Sequence, residues 1–463
     1  LQLLKPKERK AGLFSRLAPG ILIAATGVGA GDLLTASLAG HDAGLVILWA
    51  AVVGAVLKWF LNEGIARWQM ATETTLLEGW VNRLGRWIRW VFLVYLLIWS
   101  VFTAGALMNA CGVAGTGIWR VSESLTGSKI VWGIIHSLVG LVLVLWGGYT
   151  LFARVMSVCI GVMFVTVIAT ALWNGPDWGA IWQGLTVPTI PEAGVSRVLG
   201  VLGGVGGTVT LLSYGYWIRE ERRRGHDGLR ACRIDLAVGY TMTAMFGVAM
   251  ILIGSRLELR KGPGGLAMLA LDMAEQLGGV VGAWGKWTFL LGFWGAVFSS
   301  LLGVWQSVPY LFADFWALRK NQSPERKRWG AAQAPDPYRE PERAVPQSPE
   351  RERRGHFHQD DNHPSAIITP DLSHTRAYHV YLWAIAIVPL PLLYLSVAQA
   401  QWIYAVLGSL FMPLLALTLL IMNNNRRWIG KHFRNGIAAN IVLLATLAFF
   451  CYTALRRVGS LVF

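Results

Sequence analysis

Thr26-Gly27-Val28-Gly29-Ala30-Gly31-Asp32 interrupts the first long apolar run of the chain, and its reading decides how the rest is folded. An apolar run that crosses a bilayer hides its backbone polar groups in helical hydrogen bonds. Three glycines within five residues, ending in a carboxylate, serve that purpose poorly. A second run, Leu202-Gly203-Gly204-Val205-Gly206-Gly207-Thr208-Val209-Thr210, is broken in the same manner five apolar segments later. Two broken helices at matching places in two halves of a membrane protein point to a midplane binding site between inverted repeats.

The composition agrees with a membrane chain. Of its 463 residues, 54% are hydrophobic and 14% charged, where a soluble domain carries about 25% charged residues. The net charge of +15 does not form an aromatic-interleaved stripe but falls in clusters between apolar runs, which excludes nucleic acid as a partner. Cys111, Cys159, Cys232 and Cys451 sit in or beside apolar runs without CxxC spacing, so neither a disulfide framework nor a zinc motif is written here. The 23 tryptophans suit bilayer interfaces and call for no cofactor. No signal-peptide pattern opens the chain, so the first run is expected to remain in the membrane.

Eleven apolar runs follow a basic tail at 1–16: about 17–39, 44–66, 90–114, 130–147, 151–173, 195–218, 234–255, 284–317, 379–397, 401–422 and 436–455. Each approaches the ~20 residues a crossing helix needs. The links after the second, sixth and tenth runs are basic, and the link from Asn174 to Pro191 has no Lys or Arg. This alternation places the N-terminus in the cytoplasm and the C-terminus outside, in the cell's inner (plasma) membrane. Leu266 to Leu277, apolar but broken by Asp272 and Glu275, reads as a helix on the outer surface. The Pro-, Arg- and Glu-rich segment 319–376 reads as a disordered cytoplasmic loop, and its His356, His358, Asp360, Asp361 and His363 could chelate a transition metal.

Asp32 is the one carboxylate near the breaks and thus the candidate metal ligand. Beside it stand Gly29, Thr26, Thr208, Thr210 and Ser213, together with the carbonyls that unwinding would free. The competing reading of Asp32 is a cap on the second half-helix, a role compatible with keeping one oxygen for a ligand. Glu63, His136 and Asp235 are ionisable residues inside spans and hence coupling or gate candidates. Their plainer readings are a solvated charge at the basic end for Glu63, a bundle hydrogen bond for His136 and a helix-end salt bridge beside Arg233 for Asp235. Asp314 reads like Asp235, while Lys58 reads as a pairing or snorkelling residue on a face next to that of Glu63.

Ala18-Pro19-Gly20-Ile21-Leu22, leading into the first break, resembles the opening of the Nramp family of proton-coupled divalent-metal transporters. In the same order as that family come Gly147-Gly148-Tyr149, Gly206-Gly207-Thr208-Val209, Phe298-Ser299-Ser300-Leu301-Leu302-Gly303, Leu410-Phe411-Met412-Pro413-Leu414-Leu415 and Asn425-Arg426-Arg427-Trp428-Ile429-Gly430. The resemblance implies an all-α LeuT-type fold, with two inverted five-helix repeats at 17–173 and 195–422 and an eleventh helix at 436–455. It also implies a transporter rather than an enzyme.

The site departs from the family pattern. Gly29 stands where the family has its metal-binding Asp, with Ala30, Gly31 and Asp32 at its Pro, Gly and Asn; Thr210, Leu211 and Leu212 fall on its Met-Pro-His. Losing a thioether removes a reason to prefer soft or borderline ions, and an all-oxygen pocket suits a hard divalent cation such as Mg, or a monovalent one. A small organic cation or zwitterion fits the same features. The family's third helix carries acids for proton passage, whereas Trp90 to Gly115 contains none. Two functions are therefore expected to compete: a cation or small-solute transporter acting by alternating access, and a non-transporting receptor or scaffold. A membrane-embedded enzyme ranks last, because no nucleophile-base pair lies within any run.

Overall fold

The computed structural model describes residues 13–173, 175–191, 198, 200–202, 207–256, 269–320 and 372–462. Among them the secondary structure is helical, and seven stretches are long and apolar enough to cross a membrane. The basic tail's first 12 residues and the His-rich segment 356–363 lie outside the described residues.

The first apolar run forms two helices, α1 (Leu13–Gly27) and α2 (Ala30–Ala43), separated at Val28 and Gly29. A 3-10 turn over Gly44–Ile47 leads into α3 (Leu48–Thr72), with Gly44 at φ 67, a conformation that glycine adopts without Cβ strain. Short α4 (Leu76–Gly79) starts at Thr75, whose hydroxyl accepts the Glu78 N–H while Glu78 Oε2 accepts the Thr75 N–H. That reciprocal cap satisfies two orphan donors of the helix start.

Helix α5 (Arg86–Ile118) is followed by α6 (Leu125–Trp173), which joins the expected fourth and fifth runs into one 49-residue element bent at Gly148, φ 57 and ψ 179. The link without Lys or Arg contains a further helix, α7 (Trp178–Thr186), capped by Asp177 Oδ1 on the Gly179 and Ala180 amides. After the second break come α8 (Ser213–Glu220) and α9 (Gly225–Gly254). The expected surface helix exists as α10 (Leu269–Val281), but Ala270, Met273, Ala274 and Leu277 are buried, and it packs on α5 and on α11 (Ala283–Lys320).

The expected ninth run is not one helix. Pro389 and Pro391 withhold amide donors, so α12 (Arg376–Ile387) stops and a 3-10 turn over Leu390–Tyr394 carries the chain to α13 (Val397–Met422). Helices α14 (Arg426–Ile429) and α15 (Ile437–Val462) complete the described chain.

The most thoroughly buried of the crossing-length helices is α11, which packs against α1, α5, α6 and α12. The two halves of the broken first run lie along α9 on a row of glycines. A Cβ on Gly20 would stand 2.0 Å from the Asp235 carbonyl oxygen, one on Gly239 2.3 Å from Gly20 O, one on Gly40 2.2 Å from Ile251 O and one on Gly254 2.1 Å from Ser37 O. Small residues bring membrane helices to this separation, and it fixes where the break between α1 and α2 is held.

Candidate functional site

The first break is held open by side chains from two directions. Asp32 Oδ2 accepts the Gly29 N–H at 2.9 Å, so the carboxylate does cap the restarting helix, as its plainer reading has it. From α11, Ser299 donates to Ala25 O at 3.0 Å and Ser300 to Val28 O at 2.9 Å. Those two carbonyls, which unwinding would have offered to a ligand, are thereby already engaged.

At the second break residues 200–202 are helical, Gly207 takes φ 85, and Thr208 sits at φ −130 and ψ −104 before a 3-10 turn over Val209–Leu212 hands over to α8. Gly203 to Gly206 lie outside the described residues. The two breaks meet: a Cβ on Gly207 would stand 3.3 Å from Gly27 Cα and 2.7 Å from Thr210 Oγ1.

Among the described residues Thr26 Oγ1 and Thr208 Oγ1, each next to a glycine of this meeting point, and Ser213 Oγ at the start of α8 are buried without a hydrogen-bond partner. Each is costly to leave unsatisfied. Thr26 faces Gly303, where a Cβ would come within 2.1 Å of its hydroxyl. Thr210 is buried beside Gly207. Helix α13 closes the far side, with Gln401 Oε1 3.2 Å and the Tyr404 ring 3.4 Å from a Cβ position on Gly31. Tyr404 also approaches Thr208, at a geometry short of a hydrogen bond.

Lys58 enters the same place from α3. It has no exposed surface, its ammonium donates to the Gly207 carbonyl, and it attracts Asp32 through charge. It does not snorkel but is held by partners other than Glu63, the first of the two readings its position offered. Its place at the second break was not foreseen; a Lys well inside an apolar run was the available signal. Gln401 and Tyr404 were missed outright, for nothing in their local sequence tells which helix they would face.

The three coupling candidates stand apart from this hollow in their bonding. His136 is fixed on both nitrogens: the Trp294 indole N–H donates to Nε2 at 2.9 Å, which places the proton on Nδ1, donating to Trp132 O at 2.7 Å. Glu63 is 2% exposed rather than solvated, because Arg67 reaches it at 2.5 and 3.1 Å and Arg233 at 2.8 and 2.9 Å. Asp235 pairs not with its neighbour Arg233 but with Arg223 at 2.5 Å, and takes the Tyr214 hydroxyl at 2.6 Å. A helix points residues two apart to different sides, so adjacency in sequence misassigned both partners. Asp314 accepts from Thr75 and Tyr216 at 2.8 and 2.7 Å, tying α11 to α4 and α8. Among the described residues no group of three or more His, Cys, Asp or Glu could hold a metal ion.

Comparison with known proteins bears on the whole arrangement. The profile of the Nramp family, described as natural resistance-associated macrophage protein-like, matches residues 20–333. The manganese transporter of Eremococcus coleocola, solved as a mutant and in complex with an aromatic bis-isothiourea substituted compound, is similar in fold, with a TM-score of 0.70. Its identity to this chain is 14%, and the alignment covers 99% of this chain and 89% of that one. MhsT in complex with L-phenylalanine is similar at a TM-score of 0.52 and 15% identity, over 95% of this chain and 97% of that one. At these identities the likeness is one of fold. An uncharacterized protein of Pasteurella multocida is 22% identical over 252 residues, 53% of this chain and only 57% of that relative's length. With the family profile spanning more than half of its residues, the chain belongs to the Nramp family.

Proposed function

We propose that the chain is a secondary transporter that carries a metal cation across the inner (plasma) membrane by alternating access, with its cargo held between the breaks at Val28–Gly29 and Gly207–Thr208. The observation that carries this reading is the approach of Gly207 to Gly27, with the unpartnered hydroxyls of Thr26 and Thr208 next to it in sequence and the Asp32 carboxylate at the restart of α2. Membership of a family of metal-ion transporters supports the cargo class, and the likeness to a manganese transporter supports the scaffold. The oxygen-only donor set, lacking the family's Met, favours a hard cation such as Mg over a soft one.

Eleven crossings in two inverted repeats are part of the proposal. Seven stretches have crossing length, but two of them, Gly31–Thr72 and Leu125–Trp173, have 42 and 49 residues, twice what one crossing needs. Each contains a glycine in the left-handed region, Gly44 and Gly148, where the chain can turn back. The second broken run and Ile437–Thr453 supply two more. Basic links after α3, α8 and α13 support a cytoplasmic N-terminus and an external C-terminus.

One observation favours a second reading, a small organic solute as cargo. Lys58 balances the charge of Asp32, which leaves less for a divalent ion and suits a zwitterion. Uptake by the full chain in sealed proteoliposomes, offered Mg, Ca, Mn, Na and small amines and amino acids in turn, decides between them. Saturable cation uptake that disappears in Asp32→Asn supports the proposal. Uptake of an amine or amino acid alone selects the second reading, and no uptake of any solute makes the chain a scaffold.

A further inference from the structure

Lys58 differs from every other charged residue near the breaks. It is completely buried, it comes from α3, and among its acceptors is the carbonyl of Gly207, which sits in the second break. Gly207 packs against Gly27 of the first break, and the Asp32 carboxylate at the restart of α2 feels the charge of Lys58. A peptide oxygen at a helix break and a carboxylate at the facing break are what a dissolved hard cation would take as ligands.

We propose that Lys58 is the tethered counter-ion of the cargo site: its ammonium holds the place of a cation on Gly207 O, facing the charge of Asp32, and a cation cargo enters only by displacing it. This rests on the transporter reading above and adds the residue that sets selectivity. A lysine is a compact charge on a flexible four-carbon stem, so it can withdraw along α3 and return. While it is in place, a divalent ion meets one carboxylate and one ammonium, and their charges cancel. With the hollow neutral, the empty carrier reorients without the cost of an unpaired buried carboxylate. That matters here because α5 lacks acids between Trp90 and Gly115, and with them the family's route for a compensating proton.

The test is Mn and Mg binding to the purified full chain by calorimetry, for wild type, Lys58→Gln, Lys58→Arg and the double variant Asp32→Asn with Lys58→Gln. Glutamine keeps a donor for Gly207 O and drops the charge. The expected result is at least about ten-fold tighter binding in Lys58→Gln, wild-type affinity in Lys58→Arg, and loss of the gain in the double variant. Binding in Lys58→Gln no tighter than in wild type overturns the assignment, as does a gain that survives removal of the Asp32 charge. If Lys58→Gln does not fold, recovery of folding by the added Asp32→Asn supports the pairing and failure to recover overturns it. A wild type that binds neither ion beside a Lys58→Gln that binds them upholds Lys58 as the resident charge and removes the metal cargo, so the two readings fail separately.

Discussion

Asp32 has two duties that two substitutions separate. Its Oδ2 caps α2 on the Gly29 amide, and its charge balances Lys58. Asp32→Asn keeps an oxygen for the cap and loses the charge, whereas Asp32→Ala loses both. Thermal unfolding in detergent is predicted to show Asp32→Ala less stable than Asp32→Asn by about 1 kcal/mol, the usual worth of a cap, while both abolish uptake. Equal stability of the two would show that the cap carries nothing. Glu63 offers a sharper contrast. It is buried between Arg67 and Arg233, and the Arg233 side chain is 46% exposed. Glu63→Ala strands the buried guanidinium of Arg67 and is predicted to destabilise by about 3 kcal/mol; Arg233→Ala gives up a half-solvated partner and costs under about 1 kcal/mol. Denaturation of the two variants side by side checks the order, and a larger loss in Arg233→Ala would reverse the assignment.

At the scale of helices, the breaks were legible because glycine is conspicuous in an apolar run, and Gly29 and Gly207 do stand in non-helical backbone. What faces the breaks was not legible. Lys58, Gln401 and Tyr404 reach the hollow from α3 and α13, and which face of a uniformly apolar helix turns inward leaves no periodic trace when every face is covered by protein or lipid. The same reason hid the pairing of Arg233 with Glu63. The glycine row between α1–α2 and α9 makes a prediction at this scale. Gly239→Ala drives a Cβ toward the Gly20 carbonyl and is expected to lose about 1 to 3 kcal/mol. Gly161→Ala, in the interior of α6 with nothing within 4 Å of the new Cβ, is expected to gain up to about 1 kcal/mol. Melting curves for both variants would expose an error if the two shift in the same direction.

Over the whole molecule, the end of the bundle carrying α4 and the C-terminus of α8 is tied together by side chains: Thr75 and Tyr216 on Asp314, Arg219 on Glu78, and Arg223 on Asp235. Burial, and then the nearby charge of Asp314, push the Glu78 carboxyl up to about 7, against the pull of Arg219. The folded state thus holds a proton on Glu78 that the unfolded chain releases near its ordinary value of 4.5. The resulting stabilisation is complete at pH below that value and is lost as pH rises toward 7. Melting temperature from pH 5 to 8 is predicted to fall less steeply in Glu78→Gln than in wild type, and parallel curves would refute it.

The central claim, that cargo sits between two facing breaks reached from each side in turn, is tested most directly at Thr208. With Cys111, Cys159, Cys232 and Cys451 replaced, Thr208→Cys is labelled in sealed vesicles by a membrane-impermeant thiol reagent added to one side or the other. The account predicts labelling from either face, slowed when the transported solute is present. Labelling from neither face, or at a rate the solute does not change, would contradict it.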